Sequence, residues 1–193
     1  MNFLVFMEIK GKAFNKKKGE HVFVQGTPDT SIYFIKSGLL KAYYTDEEGK
    51  EFVKSFIMDN DVIGSLSSAY KGKHCSFSLV CLENSDLIKI PFSEIYEQSK
   101  KDQSIANSMI ELLLNFSMKK EKREYEFLCL SAEERYRQLE KESPLIIEKV
   151  TQNDLARYLG VTPVGLSRIK KRVTKEAETK NTHKNNHAVN TSV

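Results

Sequence analysis

Residues Thr151–Val173, TQNDLARYLGVTPVGLSRIKKRV, constrain the fold more than any other stretch, because they read as two short helices joined by a tight turn. Thr151 is placed to N-cap the first helix, with Asp154 three residues on in the position of a capping-box acid. Gly160 supplies the left-handed conformation that ends a helix. Thr162-Pro163 then restarts the chain as an N-cap followed by proline at the first helical position, so the turn is about Gly160 to Thr162. Leu155 and Leu159 share one face of the first helix; Leu166, Ile169 and Val173 share one face of the second. Ala156 lets the two backbones approach.

The opposite face of the second helix carries Val164, Ser167, Arg168 and Lys171. Between Leu145 and Val173, Lys149, Arg157, Arg168, Lys170, Lys171 and Arg172 stand against only Glu148 and Asp154, an excess of four that equals the +4 net charge of the whole chain. Short and basic side chains projecting together resemble the DNA-binding helix-turn-helix, whose second helix lies in the major groove while the first crosses the backbone. The candidate DNA contacts are Thr151, Gln152, Thr162, Pro163, Val164, Ser167, Arg168, Lys170 and Lys171. An ordinary helical hairpin with a solvated basic face is the competing reading, disfavoured because caps, glycine and apolar positions all fall in step.

The rest of the chain reads as α+β. From Lys12 to Pro91, strand-length runs (HVFV, IYFIK, LLKAYY, EFVKSFIM, DVIG, SFSLVCL, SDLIKI) alternate with turn residues, which predicts an antiparallel roll. FSEIYEQSKK is a short helix, and a long helix without Gly or Pro follows from about Asp102 to Cys129. Its stripe Ile105, Met109, Leu112 and Phe116 has coiled-coil spacing and is the expected homodimer interface, with Ile110, Leu113 and Leu114 left to pack on the roll. Burial of the whole helix in its own domain is the alternative. Ser131, with Glu134 as capping-box partner, opens a new helix ending at Ser143-Pro144. The expected organisation is 1–101 β-roll, 102–130 dimerisation helix and hinge, 131–175 helix-turn-helix domain and 176–193 disordered tail.

The opening MNFLVFMEIKGK is too short to span a bilayer and lacks the pattern of a secretory leader, so a cytoplasmic protein without membrane attachment is expected. Cys75, Cys81 and Cys129 form no CxxC pair, which argues against a disulfide framework or a zinc site. No GxSxG, HExxH or P-loop pattern suggests an enzyme, and no metal or cofactor is expected.

A roll, a long helix, a hinge and a C-terminal helix-turn-helix, in that order, resemble the Crp/Fnr superfamily of bacterial transcription regulators. GTPDTSIYFIKSGLLKAYYTDEEGKE, DNDVIGSL, LSAEERYRQL and TQNDLARYLGVTPVGLSRI carry the resemblance. It implies a homodimer on a palindromic double-stranded DNA operator, RNA polymerase as a further partner, and a small-molecule effector in the roll. The usual N-terminal helix looks shortened or absent, and no strand pattern follows Val173 for a β-hairpin wing.

The effector position departs from the family pattern. The nucleotide-gripping Gly-Glu-Leu is Gly64-Ser65-Leu66 here, and the later Arg-Ser/Thr-Ala falls on Cys75-Ser76-Phe77, with Met118 and Lys119 at the purine-facing positions of the long helix. The arginine that would grip the cyclic phosphate is missing and nothing obvious replaces it, so cyclic AMP is not expected to bind. Iron-sulfur sensing needs four cysteines and the chain has three. His21 or His74 could ligate haem but read better as surface or hydrogen-bonded residues. A ligand- or partner-binding roll with a vestigial DNA-binding domain is the alternative function.

Overall fold

The computed structural model describes residues 3–189. The chain begins α1 (Phe3–Lys10), β1 (Lys12–Lys16), β2 (His21–Phe23), β3 (Ser31–Ser37), β4 (Leu40–Thr45) and β5 (Glu51–Ile57). It continues β6 (Val62–Ile63), α2 (Leu66–Lys71), β7 (Ser78–Cys81), β8 (Ser85–Pro91) and α3 (Phe92–Ser99). The remainder is helical: α4 (Gln103–Cys129), α5 (Ala132–Glu142), α6 (Pro144–Lys149), α7 (Gln152–Leu159) and α8 (Pro163–Val189). Two compact units result, residues 1–123 and 124–193, so most of α4 belongs with the roll and is not a segment of its own.

The strands pair antiparallel in two four-stranded sheets, ordered β1-β8-β3-β6 and β2-β7-β4-β5. β3 shows why its sequence is apolar at successive positions. Side chains alternate across a strand, and both faces of this one are covered. Tyr33 and Ile35 join Leu40, Ala42, Phe77, Leu79 and Leu87 in one buried cluster. Ile32 and Phe34 join Phe3, Phe6, Met7, Ile95 and Ile105 in a second, formed with α1, α3 and α4. Each large apolar side chain so buried contributes about 1.5–3 kcal/mol.

The N-terminal helix is present at eight residues and buries Phe3, Phe6 and Met7. Two short helices escape a reading by periodicity: α2, LSSAYK, ends at Gly72 in the left-handed conformation, and α6 starts on Pro144. At the other end α8 runs through 176–189, where the sequence predicts a disordered tail; after Gly165 no glycine or proline interrupts it. Residues 190–193 of that expected tail lie outside the described residues. Among the described residues, no helix is long and apolar enough to cross a membrane.

The faces of α4 are the reverse of those expected. Ile105 is fully enclosed, and Met109, Leu112 and Phe116 pack partly buried against the same cluster. The stripe predicted to meet a second copy therefore meets its own roll, and Ile105 has no surface left for a partner. Ile110, Leu113 and Leu114, predicted to lie on the roll, are 55%, 39% and 56% exposed. Both faces are apolar, so spacing alone cannot choose between them; the covering of Ile105 within the α1 and α3 cluster decides it.

Candidate nucleic-acid interface

Local capping builds the second unit. Ser131 accepts the Glu134 N–H at 3.2 Å, and the Glu134 carboxylate accepts the Ser131 N–H at 2.7 Å, completing the box at the start of α5. Thr151 accepts the Asp154 N–H at 3.1 Å and donates its hydroxyl to Asp154 Oδ2 at 2.9 Å. Gly160, at φ 71°, ends α7 by donating to the Ala156 and Arg157 carbonyls. The Thr162 hydroxyl then accepts the Gly165 N–H at 3.1 Å, starting α8. Leu155, Ala156, Leu159, Leu166, Ile169 and Val173 are all buried where the two helices pack together.

That burial leaves the other face of α8 bare. Val164 is 64% exposed; Ser167, Arg168 and Lys171 are exposed and Lys170 is half-buried. Among the described residues, Arg168 and Lys171 make no hydrogen bond or ion pair. Gln152 and Pro163 are also exposed at the helix starts, whereas the Thr151 and Thr162 hydroxyls are engaged in capping. Arg172 is different from its basic neighbours. Its Nε donates to Glu133 Oε2 at 2.7 Å, Arg137 donates to Glu133 Oε1 at 3.0 Å and to Glu176 Oε2 at 2.8 Å, and so α8 is tied to α5. Arg172 first and Arg137 second hold the Glu133 carboxyl below the usual carboxylate range.

In the first unit, the two segments aligned with the nucleotide motifs do meet. Ser65 Oγ accepts the Ser76 N–H at 3.3 Å and lies 3.2 Å from Ser67 Oγ. Gly64 is required by close approach, since a Cβ there would stand 2.6 Å from Ile32 Cδ1. Beside them is an acid, Asp29, which accepts the Ser31 N–H at 2.9 Å and the Tyr33 hydroxyl at 2.7 Å and donates its own N–H to Ser68 Oγ at 3.1 Å. Cys75 Sγ donates to the Asp29 carbonyl at 3.9 Å. Burial, reinforced by Asp29, raises the Tyr33 hydroxyl far above its ordinary value. A phosphate entering here would meet a carboxylate, and like charge disfavours it.

Phe77 does not line an open site. Its ring centroid lies 5.2 Å from Phe23 and 6.4 Å from Tyr44 inside the roll, with the Lys54 ammonium 4.7 Å from it. Burial, and then Lys120 of α4, lower the Lys54 ammonium's pKa. Lys119 pairs with Asp61 at 3.0 Å in a cleft of about 320 Å³ whose walls include Phe3, Glu111 and Phe116. Met118 is 57% exposed, and Leu66 is exposed as well. α4 sets Leu112 and Phe116 on the roll and Lys120 towards Lys54.

Among the described residues, no group of His, Cys, Asp and Glu could hold a metal ion. Cys75 and Cys81 are buried and Cys129 is exposed. Asp29 has only the turn PDTS as a signal in the sequence, and the Glu133–Arg172 tie has none.

Residues 14–102 match the cyclic nucleotide-binding domain family. The chain is 30% identical over 167 residues to Electron transport regulator A of Shewanella oneidensis. It is 28% identical over 164 residues to the Fumarate and nitrate reduction regulatory protein of Salmonella typhi. Each alignment covers 79% of this chain, and the chain spans 65% of the length of each relative. In fold it is similar to FixK2 from Bradyrhizobium japonicum, with a TM-score of 0.74 at 15% identity over 86% of each chain. The chain thus carries a match to the cyclic nucleotide-binding domain over residues 14–102, is similar in sequence to these regulators, and shares its fold with FixK2.

Proposed function

We propose that the chain is a sequence-specific DNA-binding transcription regulator, working as a homodimer on a two-fold symmetric operator, with a roll that takes no cyclic nucleotide. The observation that carries this reading is the bare face of α8, where Arg168 and Lys171 stand exposed and, among the described residues, unpaired on a helix whose other side is buried. An arginine fork can bond both major-groove acceptors of guanine, and Val164 can touch a thymine methyl. Lys171 suits a phosphate.

The exposed face of α4, with Ile110, Leu114 and Met118 at spacings of four, supports dimerisation there. Removing such a surface from water contributes roughly 25 cal/mol per Å². Two copies related by a two-fold axis would read half-sites about 10 bp apart. RNA polymerase is the further partner such a role requires, and any effector of the roll would have to tolerate Asp29.

Fluorescence anisotropy on a palindrome and on its single half-site tests the reading. The palindrome should bind tighter by about tenfold or more, and both should weaken steeply as salt rises. Equal affinity for palindrome, half-site and unrelated duplex would contradict it.

A further inference from the structure

The guanidinium of Arg135, in the first turn of α5, joins the ends of two other helices. Nη1 donates to the carbonyls of Glu126 at 3.3 Å and Leu130 at 2.6 Å, at the end of α4, and Nη2 donates to the carbonyl of Leu159 at 2.9 Å, the last residue of α7. Its carbon lies 4.6 Å from the Phe127 ring centroid. The C-terminal carbonyls of a helix form the negative end of its dipole, so one cation lies against both ends at once; the Glu126 carbonyl also accepts the Leu130 N–H at 3.2 Å. Nε is buried and, among the described residues, without a partner. Among the described residues, the hydrogen bonds of the fork all go to backbone carbonyls and none to an acid.

Gly160 belongs to the same arrangement. A Cβ there would come within 3.0 Å of Phe127 Cε1 and 3.9 Å of Arg135 Nη2. The residue that ends α7 therefore also clears room for the stacked ring and the guanidinium.

We propose that Arg135 is a positioning residue that fixes α7, and through it the recognition face of α8, against the last turn of α4, and so sets which half-site spacing the dimer accepts. This rests on the DNA-binding dimer reading above. The role needs a planar fork: a lysine ammonium is a point donor on a flexible stem and cannot present two fixed nitrogens to carbonyls on both sides.

The test uses the full chain, as wild type, Arg135→Lys and Phe127→Leu, each at a temperature where circular dichroism shows it folded. The probes are the palindrome that wild type selects from a random DNA pool, the same palindrome with its centre lengthened or shortened by one or two base pairs, and a single half-site. Wild type should prefer its own spacing by about tenfold or more, whereas the variants should retain about twofold or less and bind the half-site within about twofold of wild type. Unchanged spacing preference in the variants would overturn the proposal. So would a loss of the same factor on every probe, which is what a merely structural role produces. Should Arg135→Lys not fold, Phe127→Leu, which removes the stacked ring, carries the comparison. Wild type that binds no DNA would overturn the DNA-binding reading itself, and this proposal with it.

Discussion

The nucleotide position of the roll and the recognition face of α8 are opposites in how their polar groups are satisfied. In the roll, Ser65 holds Ser76, Asp29 holds Tyr33 and Ser31, and Phe77 packs between Phe23 and Tyr44. On α8, Arg168 and Lys171 make no hydrogen bond or ion pair among the described residues. A region whose donors, acceptors and rings are matched within the chain has already made the contacts a ligand would offer. One that leaves cations bare on a helix face keeps those charges available for a contact outside the chain.

Opening the filled region should have the largest effect. Phe77→Ala should lower stability by about 3–5 kcal/mol through the cavity it leaves, read by urea denaturation. Calorimetry on that variant should still show no cyclic AMP binding, because Asp29 remains. Low-micromolar binding would mean the ring alone had closed the site.

The two faces of α4 sharpen the contrast. Leu114→Glu should give folded monomers by sedimentation, since Leu114 is exposed and expected against a second copy. Leu112→Glu should instead lower the melting temperature, because it puts a carboxylate into the roll's second cluster. Identical behaviour of the two variants would break the assignment of faces. On the bare region, Arg168→Ala should cost about 1–3 kcal/mol on the specific sequence without changing stability. Lys171→Ala should weaken all sequences alike and reduce the salt slope by about one.

The smallest effect concerns the tie between α5 and α8. Arg172 and Arg137 hold the Glu133 carboxyl below its ordinary value near 4.5. Its contribution is therefore fully present above that value and is lost as pH falls through the lower folded-state one. The difference in urea midpoint between wild type and Glu133→Gln should be constant at neutral pH and vanish in acid. It should be modest, as exposed ion pairs are.

The strands were legible because turn residues separate them and their side chains alternate. The helix-turn-helix was legible because Thr151, Gly160, Thr162 and Pro163 each have one conformational use. Which face of α4 meets the roll was not legible: two apolar stripes on one helix are equivalent until α1 and α3 enclose Ile105. Arg135 was beyond reach for a similar reason. Its acceptors are backbone carbonyls 9, 5 and 24 residues away, and carbonyls have no letter in a sequence. Asp29 was hidden because its turn role is common, while its place beside Cys75 and Ser68 depends on how the sheets close.

Selection of binding sites from a random DNA pool, run in parallel with wild type and Arg168→Ala, tests the central claim most directly. Wild type should enrich a two-fold symmetric motif with half-sites about 10 bp apart, and Arg168→Ala should lose a guanine preference at one position of each half-site while the rest of the motif stays. Recovery of the same motif by both proteins, or of no motif by wild type, would contradict it.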